Sequence, residues 1–125
     1  MWSSEDGQNW VLETENTAFS GRAFFGITIF QERIFLLGGL GNGTISNEVW
    51  SSADGVTWEL EADNPDFSPR AQTKLVSFKN KLYAIGGLEN PLDPSTGSAD
   101  DIWSSTNGRD WVQETDAAPY AARFG

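Results

Sequence analysis

Apolar and polar positions run through one order along the chain and then return to it. Trp2-Ser3-Ser4-Glu5-Asp6-Gly7-Gln8-Asn9-Trp10 comes back as Trp50-Ser51-Ser52-Ala53-Asp54-Gly55-Val56-Thr57-Trp58, and again as Trp103-Ser104-Ser105-Thr106-Asn107-Gly108-Arg109-Asp110-Trp111. Nine residues after the second Trp stands an aromatic (Phe19, Phe67, Tyr120), and three further on an arginine (Arg22, Arg70, Arg123). Sixteen residues beyond the first two arginines lies a glycine pair, Gly38-Gly39 or Gly86-Gly87. Residues 1–40 laid over 49–88 share 17 identities without a gap. The step from Trp50 to Trp103 is longer than that from Trp2 to Trp50 because of an insertion confined to 88–101. Such a period makes the repeat, not the whole chain, the unit of structure.

Within each unit the pattern predicts four short strands. Ala23 to Phe30 and Ala71 to Phe78 are rich in aromatic and β-branched residues. A polar turn leads to Ile34–Leu37 or Leu82–Ile85, continuous apolar runs that suit a strand buried on both faces and that the glycine pair is expected to stop. After a polar loop come Glu48–Ser51 or Asp101–Ser104, then a tight turn, then Trp58–Glu61 or Trp111–Glu114. Asp54-Gly55 and Asn107-Gly108 mark that turn, because Asp and Asn tolerate a left-handed backbone and Gly enters it at no steric cost. No segment has helical periodicity. A four-stranded antiparallel unit repeated at this spacing is the signature of a β-propeller blade.

Composition narrows the chemistry. With no Cys and no His there is no disulfide, no thiolate or imidazole metal site and no catalytic triad. Eight basic against 18 acidic residues, a net charge of −10, argue against a nucleic-acid partner, whose phosphates require Lys and Arg. No apolar run is long enough to span a membrane. No metal and no cofactor are expected.

Here the likeness to a known family becomes specific. Ile34-Phe35-Leu36-Leu37-Gly38-Gly39 and Leu82-Tyr83-Ala84-Ile85-Gly86-Gly87, each followed by a later Trp, resemble the kelch repeat of bacterial, galactose-oxidase-central-domain-like propellers. The Trp-Ser-Ser-x-Asp-Gly-x-x-Trp turn also resembles the Asp-box of sialidase-type propellers, although Gly55 follows Asp54 directly. The resemblance implies an all-β, kelch-type partial propeller of about two and a half blades. Residues 1–20 form the second half of a blade, 21–68 and 69–121 are full blades, and 122–125 begin another. About four to eight blades close a ring, so the expected partners include further blades of the same chain or self-association.

In an up-and-down meander the glycine-pair loops and the inter-blade loops share one end, where most acidic residues then also fall, Glu61 and Glu114 among them. That end is expected to be an acidic loop face with the arginines at its rim, fit for a protein or glycan ligand. The candidate ligand-binding residues are Arg22, Arg70, Asn42, Glu89, Asp93 and Asp100. Trp2, Trp10, Gly38, Gly39, Trp50, Asp54, Gly55, Trp58, Gly86, Gly87, Trp103 and Trp111 are expected to be structural repeat positions. The arginines have two readings: bidentate capture of a carboxylate, or hydrogen bonding between blades, and recurrence in every copy favours the second. Segment 89–101 carries oxygens for Ca²⁺ but no recognisable loop consensus, and Asn42-Gly43-Thr44 has the form of a glycosylation acceptor. The expected function is a non-catalytic binding propeller. The alternative is a piece of a sialic-acid mutarotase-like or galactose-oxidase-like enzyme with its catalytic residues elsewhere. The resemblance also implies a secreted or cell-surface setting.

Overall fold

A computed structural model describes residues 1–90 and 97–120. Among them every regular element is a strand. The chain is all-β, built of antiparallel sheets that do not close on one another. Among the described residues no helix is long and apolar enough to cross a membrane.

Strands β1 (Trp2–Ser3) and β2 (Val11–Leu12) form a hairpin. Next come β3 (Gly26–Phe30), β4 (Arg33–Leu37), a ribbon of β5 (Leu40–Gly41) with β6 (Thr44–Ile45), β7 (Val49–Ser52) and β8 (Glu59–Ala62). The first four-stranded sheet has the order β3-β4-β7-β8, each strand beside its neighbour in sequence. The second sheet repeats this with β9 (Lys74–Phe78), β10 (Lys81–Leu88), β11 (Ser98–Ser105) and β12 (Val112–Thr115). Short connections and period-2 patterning make this meander the simplest solution for such a sequence.

Register fixes which loops share an end. Gly26, Leu37, Val49 and Ala62 stand in one row across the first sheet, and Lys74, Ile85, Ile102 and Thr115 in the matching row of the second. The glycine pairs, the β5–β6 ribbon and the segments entering each sheet therefore gather at this end. The Asp-Gly turns lie at the other.

Two expectations about strand limits are corrected. The first strands begin at Gly26 and Lys74 rather than at Ala23 and Ala71, which make only single bridges to Leu40 and Leu88. The cause is a left-handed residue in each entry segment, Phe24 at φ 59° and Gln72 at φ 57°. The Gln72 N–H donates to the Phe24 carbonyl at 2.6 Å, joining the two entry segments where they kink. The glycine pair also does not end the strand in the second sheet: β10 runs through Gly86-Gly87 to Leu88 with a register shift between Ile85 and Gly87. A bulge at glycine lets the strand bend and continue.

The core lies between the two sheets. Phe30, Phe35, Leu37 and Val49 from the first meet Leu75, Leu82, Ala84, Trp103 and Trp111 from the second, with Phe67 of the connecting segment among them. Strands β3 and β9 lie side by side, so close that a Cβ on Gly26 would sit 2.9 Å from the Leu75 Cβ. Gly108 shows the same closeness, since a Cβ there would meet Phe35 Cε1 at 2.3 Å. Both glycines are required by approach, not only by turn geometry.

Candidate functional site

Each residue of the repeated Trp-Ser-Ser segment has one local task. The first serine donates to the glutamate of the adjoining strand: Ser3 to Glu13 at 2.5 Å, Ser51 to Glu61 at 2.6 Å, Ser104 to Glu114 at 2.5 Å. The second serine accepts from the turn, as Ser52 does from the N–H groups of Asp54 and Gly55. Asp54 Oδ1 then accepts from the N–H groups of Val56 and Thr57, both at 2.8 Å, and Asn107 Oδ1 accepts from Arg109 and Asp110 in the same way. This is an Asx turn, closed by Gly55 at φ 78° and Gly108 at φ 81°. The backbone donors of Thr57 and Val56 hold the Asp54 carboxyl below its usual range, and those of Asn9 and Gln8 do so for Asp6. The Trp58 and Trp111 indoles donate back to the Gly55 and Gly108 carbonyls at 3.2 and 3.0 Å.

At the opposite end, the Phe-x-x-Arg entry segment forms a second repeated unit. Phe19 stands edge-on to Trp50 and Trp58, with ring centroids 5.9 and 5.1 Å away, and Phe67 repeats this with Trp103 and Trp111 at 5.9 and 5.3 Å. The arginine of the same segment lies over its phenylalanine, 5.6 Å away for Arg22 and 5.5 Å for Arg70. Arg70 is 1% exposed, and its five N–H groups are all committed. They go to the Ser68 carbonyl and hydroxyl, the Gly86 carbonyl, and both oxygens of Asp101 at 2.6 and 3.0 Å. Arg22 repeats the arrangement with Ser20, the Gly38 carbonyl and Glu48. Burial pushes the Asp101 carboxyl up, but hydrogen bonds from Arg70 and Trp103 outweigh it and leave the group below its ordinary value. Glu48 is balanced likewise between burial and its bonds from Arg22 and Trp50.

The main chain of Arg70 ties the sheets together. Its N–H donates to the Ser46 carbonyl and its carbonyl accepts from the Gly39 N–H, both at 3.0 Å. A Cβ on Gly38, at φ 68°, would come within 2.4 Å of that carbonyl. The glycine pair therefore makes room for the entry segment of the following sheet.

A cleft of about 290 Å³ opens at this end, between the arginine unit and the β5–β6 ribbon, with Ser20, Arg22, Thr44, Ser46, Glu48 and Asp63 on its walls. Of the candidate ligand-binding residues that the structure describes, only Arg22 lines it. Asn42, at φ 51°, is exposed at the tip of the ribbon. Glu89 meets Arg70 at 3.6 Å and accepts from the Ser68 hydroxyl, while the Asp100 carbonyl accepts from the Ala118 N–H. Asp93 and Arg123 lie outside the described residues.

The acidic loop face is smaller than the sequence suggests. Glu61 and Glu114 belong to strands and bond across their sheets, and Glu61 also pairs with Arg109 of the far turn at 3.0 Å. Glu48 and Asp101 are neutralised by the arginines. The role of those two carboxylates is absent from the sequence reading, although its signal was there: an acidic residue two places before Trp50 and Trp103. Among the described residues no group of three or more acidic side chains could hold a metal ion.

No protein-family model and no curated protein matches the chain.

Proposed function

We propose that the chain is a segment of a kelch-type β-propeller that binds a protein or glycan ligand and carries no catalytic group of its own. The observation that supports this most is the division between the two ends of each sheet. The repeated residues are consumed internally, whereas the cleft lies where the repeat changes length: Leu40 pairs with Ile45 across the short ribbon of one unit, and Leu88, its counterpart, pairs with Ser98 across a longer connection in the other. Variable loops on a rigid repeated scaffold are where binding specificity is built. The cleft walls carry hydroxyls, a carboxylate and main-chain groups, the donors and acceptors that suit sugar hydroxyls or an extended peptide.

Probing glycan and peptide arrays with the chain tests this. Asp63→Lys and Thr44→Arg, both on exposed residues, are expected to weaken array binding at least tenfold with an unchanged melting temperature. Array binding that ignores both substitutions, no array binding at all, or turnover in a sialic-acid mutarotation assay would each overturn the reading.

A further inference from the structure

The two units differ at one place beside the recurring arginines. In the second, the Ser68 hydroxyl accepts from Arg70 Nη2 at 2.9 Å and donates to the Glu89 carboxylate, which also stands 3.6 Å from the guanidinium. Arg70 therefore faces two acids, Asp101 and Glu89. In the first unit Ser20 Oγ accepts from Arg22 Nη2 at 3.3 Å, and among the described residues its hydroxyl proton has no acceptor. Arg22 faces one acid, Glu48. The position that matches Glu89 is Gly41, since Leu40 and Leu88 just before them make matching bridges to Ala23 and Ala71. The main chain leaves no room there for a side chain: a Cβ on Gly41 would lie 2.4 Å from the Gly21 carbonyl. Ser20, Arg22 and Gly41 instead line the cleft of about 290 Å³. This opening does not depend on what precedes or follows the two sheets. The sheet after the first unit is in place and the cleft is open beside it. The first sheet stands before the second as a preceding unit would stand before the first, and with it in place the Glu89 side chain is still 40% exposed.

We propose that the cleft takes the carboxylate of a glutamate side chain from an extended segment of a partner polypeptide, seated on Ser20 and Arg22 as Glu89 is seated on Ser68 and Arg70. The Ser20 hydroxyl donates to one carboxylate oxygen, and the Arg22 guanidinium supplies the opposite charge. A slim methylene arm suits the close approach of Gly41 to Gly21, whereas a sugar acid brings its ring along with its carboxylate. Asp63, also on the cleft wall, accepts an N–H of the same segment, so the fit is to one acid flanked by main-chain donors and not to a polyanion. The inference rests on the reading of this cleft as the binding site. It also makes Glu89 the reason that the second unit offers no equivalent site: that unit carries its own carboxylate.

Amide NMR of the whole chain, titrated with a capped Ala-Glu-Ala peptide, its Ala-Gln-Ala counterpart and glucuronate, tests it. The glutamate peptide is expected to shift the Gly21, Gly41 and Thr44 amides saturably, and the glutamine peptide to bind about tenfold more weakly, the scale of a hydrogen bond to a charged group. Ser20→Ala removes an exposed hydroxyl whose tie to the fold is one 3.3 Å bond from Arg22. It is expected to weaken the glutamate peptide by a similar factor with an unchanged melting temperature. Glu89→Gly copies the first unit and is expected to open a second site, seen as saturable shifts at Ser68 and Arg70 that the unaltered chain lacks. No saturable shift with the glutamate peptide, equal binding of the two peptides, tighter binding of glucuronate, no effect of Ser20→Ala, or no new shifts in Glu89→Gly would each overturn the inference. Array binding that Asp63→Lys and Thr44→Arg weaken would still uphold the cleft as the binding site, so the two readings fail separately.

Discussion

Arg70 and Asp101 form a two-toothed ion pair beneath the surface, with Nη1 to Oδ1 at 2.6 Å and Nη2 to Oδ2 at 3.0 Å. The same guanidinium lies over Phe67 and reaches the Gly86 carbonyl, while the Arg70 main chain is bonded to Gly39 and Ser46 of the preceding sheet. One residue therefore orders a ring cluster, a glycine pair and the contact between sheets.

Removing the acid of that pair leaves the buried cation with only the more exposed Glu89, 3.6 Å away, as a partner of opposite charge. Asp101→Asn is expected to destabilise the chain by about 3–5 kcal/mol, the usual cost of breaking a buried pair from one side. Glu48→Gln in the first sheet costs less, since the Glu48 side chain is 32% exposed and water replaces part of the lost interaction. Urea titration followed by tryptophan fluorescence compares the two. A larger loss for Glu48→Gln would count against the burial argument.

Acid should act through the same carboxylates. Asp101 and Glu48 are held below their ordinary values of 3.8 and 4.5, so the folded state releases their protons more readily than the unfolded chain does. Their contribution is complete above those values and disappears as the pH falls below them toward the folded-state values. The melting temperature is therefore expected to vary little between about pH 7 and 5 and to drop below about pH 4. Asp101→Asn, which has no proton to gain, is expected to flatten that acid limb.

Two glycines with similar backbone angles separate conformational strain from close approach. Gly38 at φ 68° has the Arg70 carbonyl against it, whereas Gly43 at φ 75° has open space around the position of a Cβ. Gly43→Ala is expected to cost about 1–2 kcal/mol, the penalty of a left-handed alanine. Gly38→Ala adds a clash with main chain that cannot swing aside, so its loss should exceed that figure clearly in the same urea titration. Equal losses would show that the entry segment moves away freely.

Much of the architecture was legible in the residues. The strands and the Asx turns follow from local rules: alternation selects strand, Asp54-Gly55 and Asn107-Gly108 select the turn, and the repeat makes each assignment twice. The candidate site was less legible. Arg22 and Arg70 recur at a fixed place, yet Glu48 and Asp101 come only after the next two strands of their sheets, and no local rule connects positions so far apart. Phe24 and Gln72 enter the left-handed region without any turn signal, because what holds them there is a bond between equivalent positions of two successive repeats.

By itself the sequence determined the unit: four antiparallel strands, their order, their turns and the end at which the variable loops gather. These depend on neighbours along the chain or across one hairpin, where side-chain period and turn chemistry suffice. The tertiary structure alone decided how units meet. It placed the Arg70 carbonyl over Gly38, committed the arginines to internal carboxylates, and left Phe78 uncovered where Phe30 is buried. Those outcomes depend on which faces approach in space, and two copies of one motif carry the same residues whether or not anything lies against them.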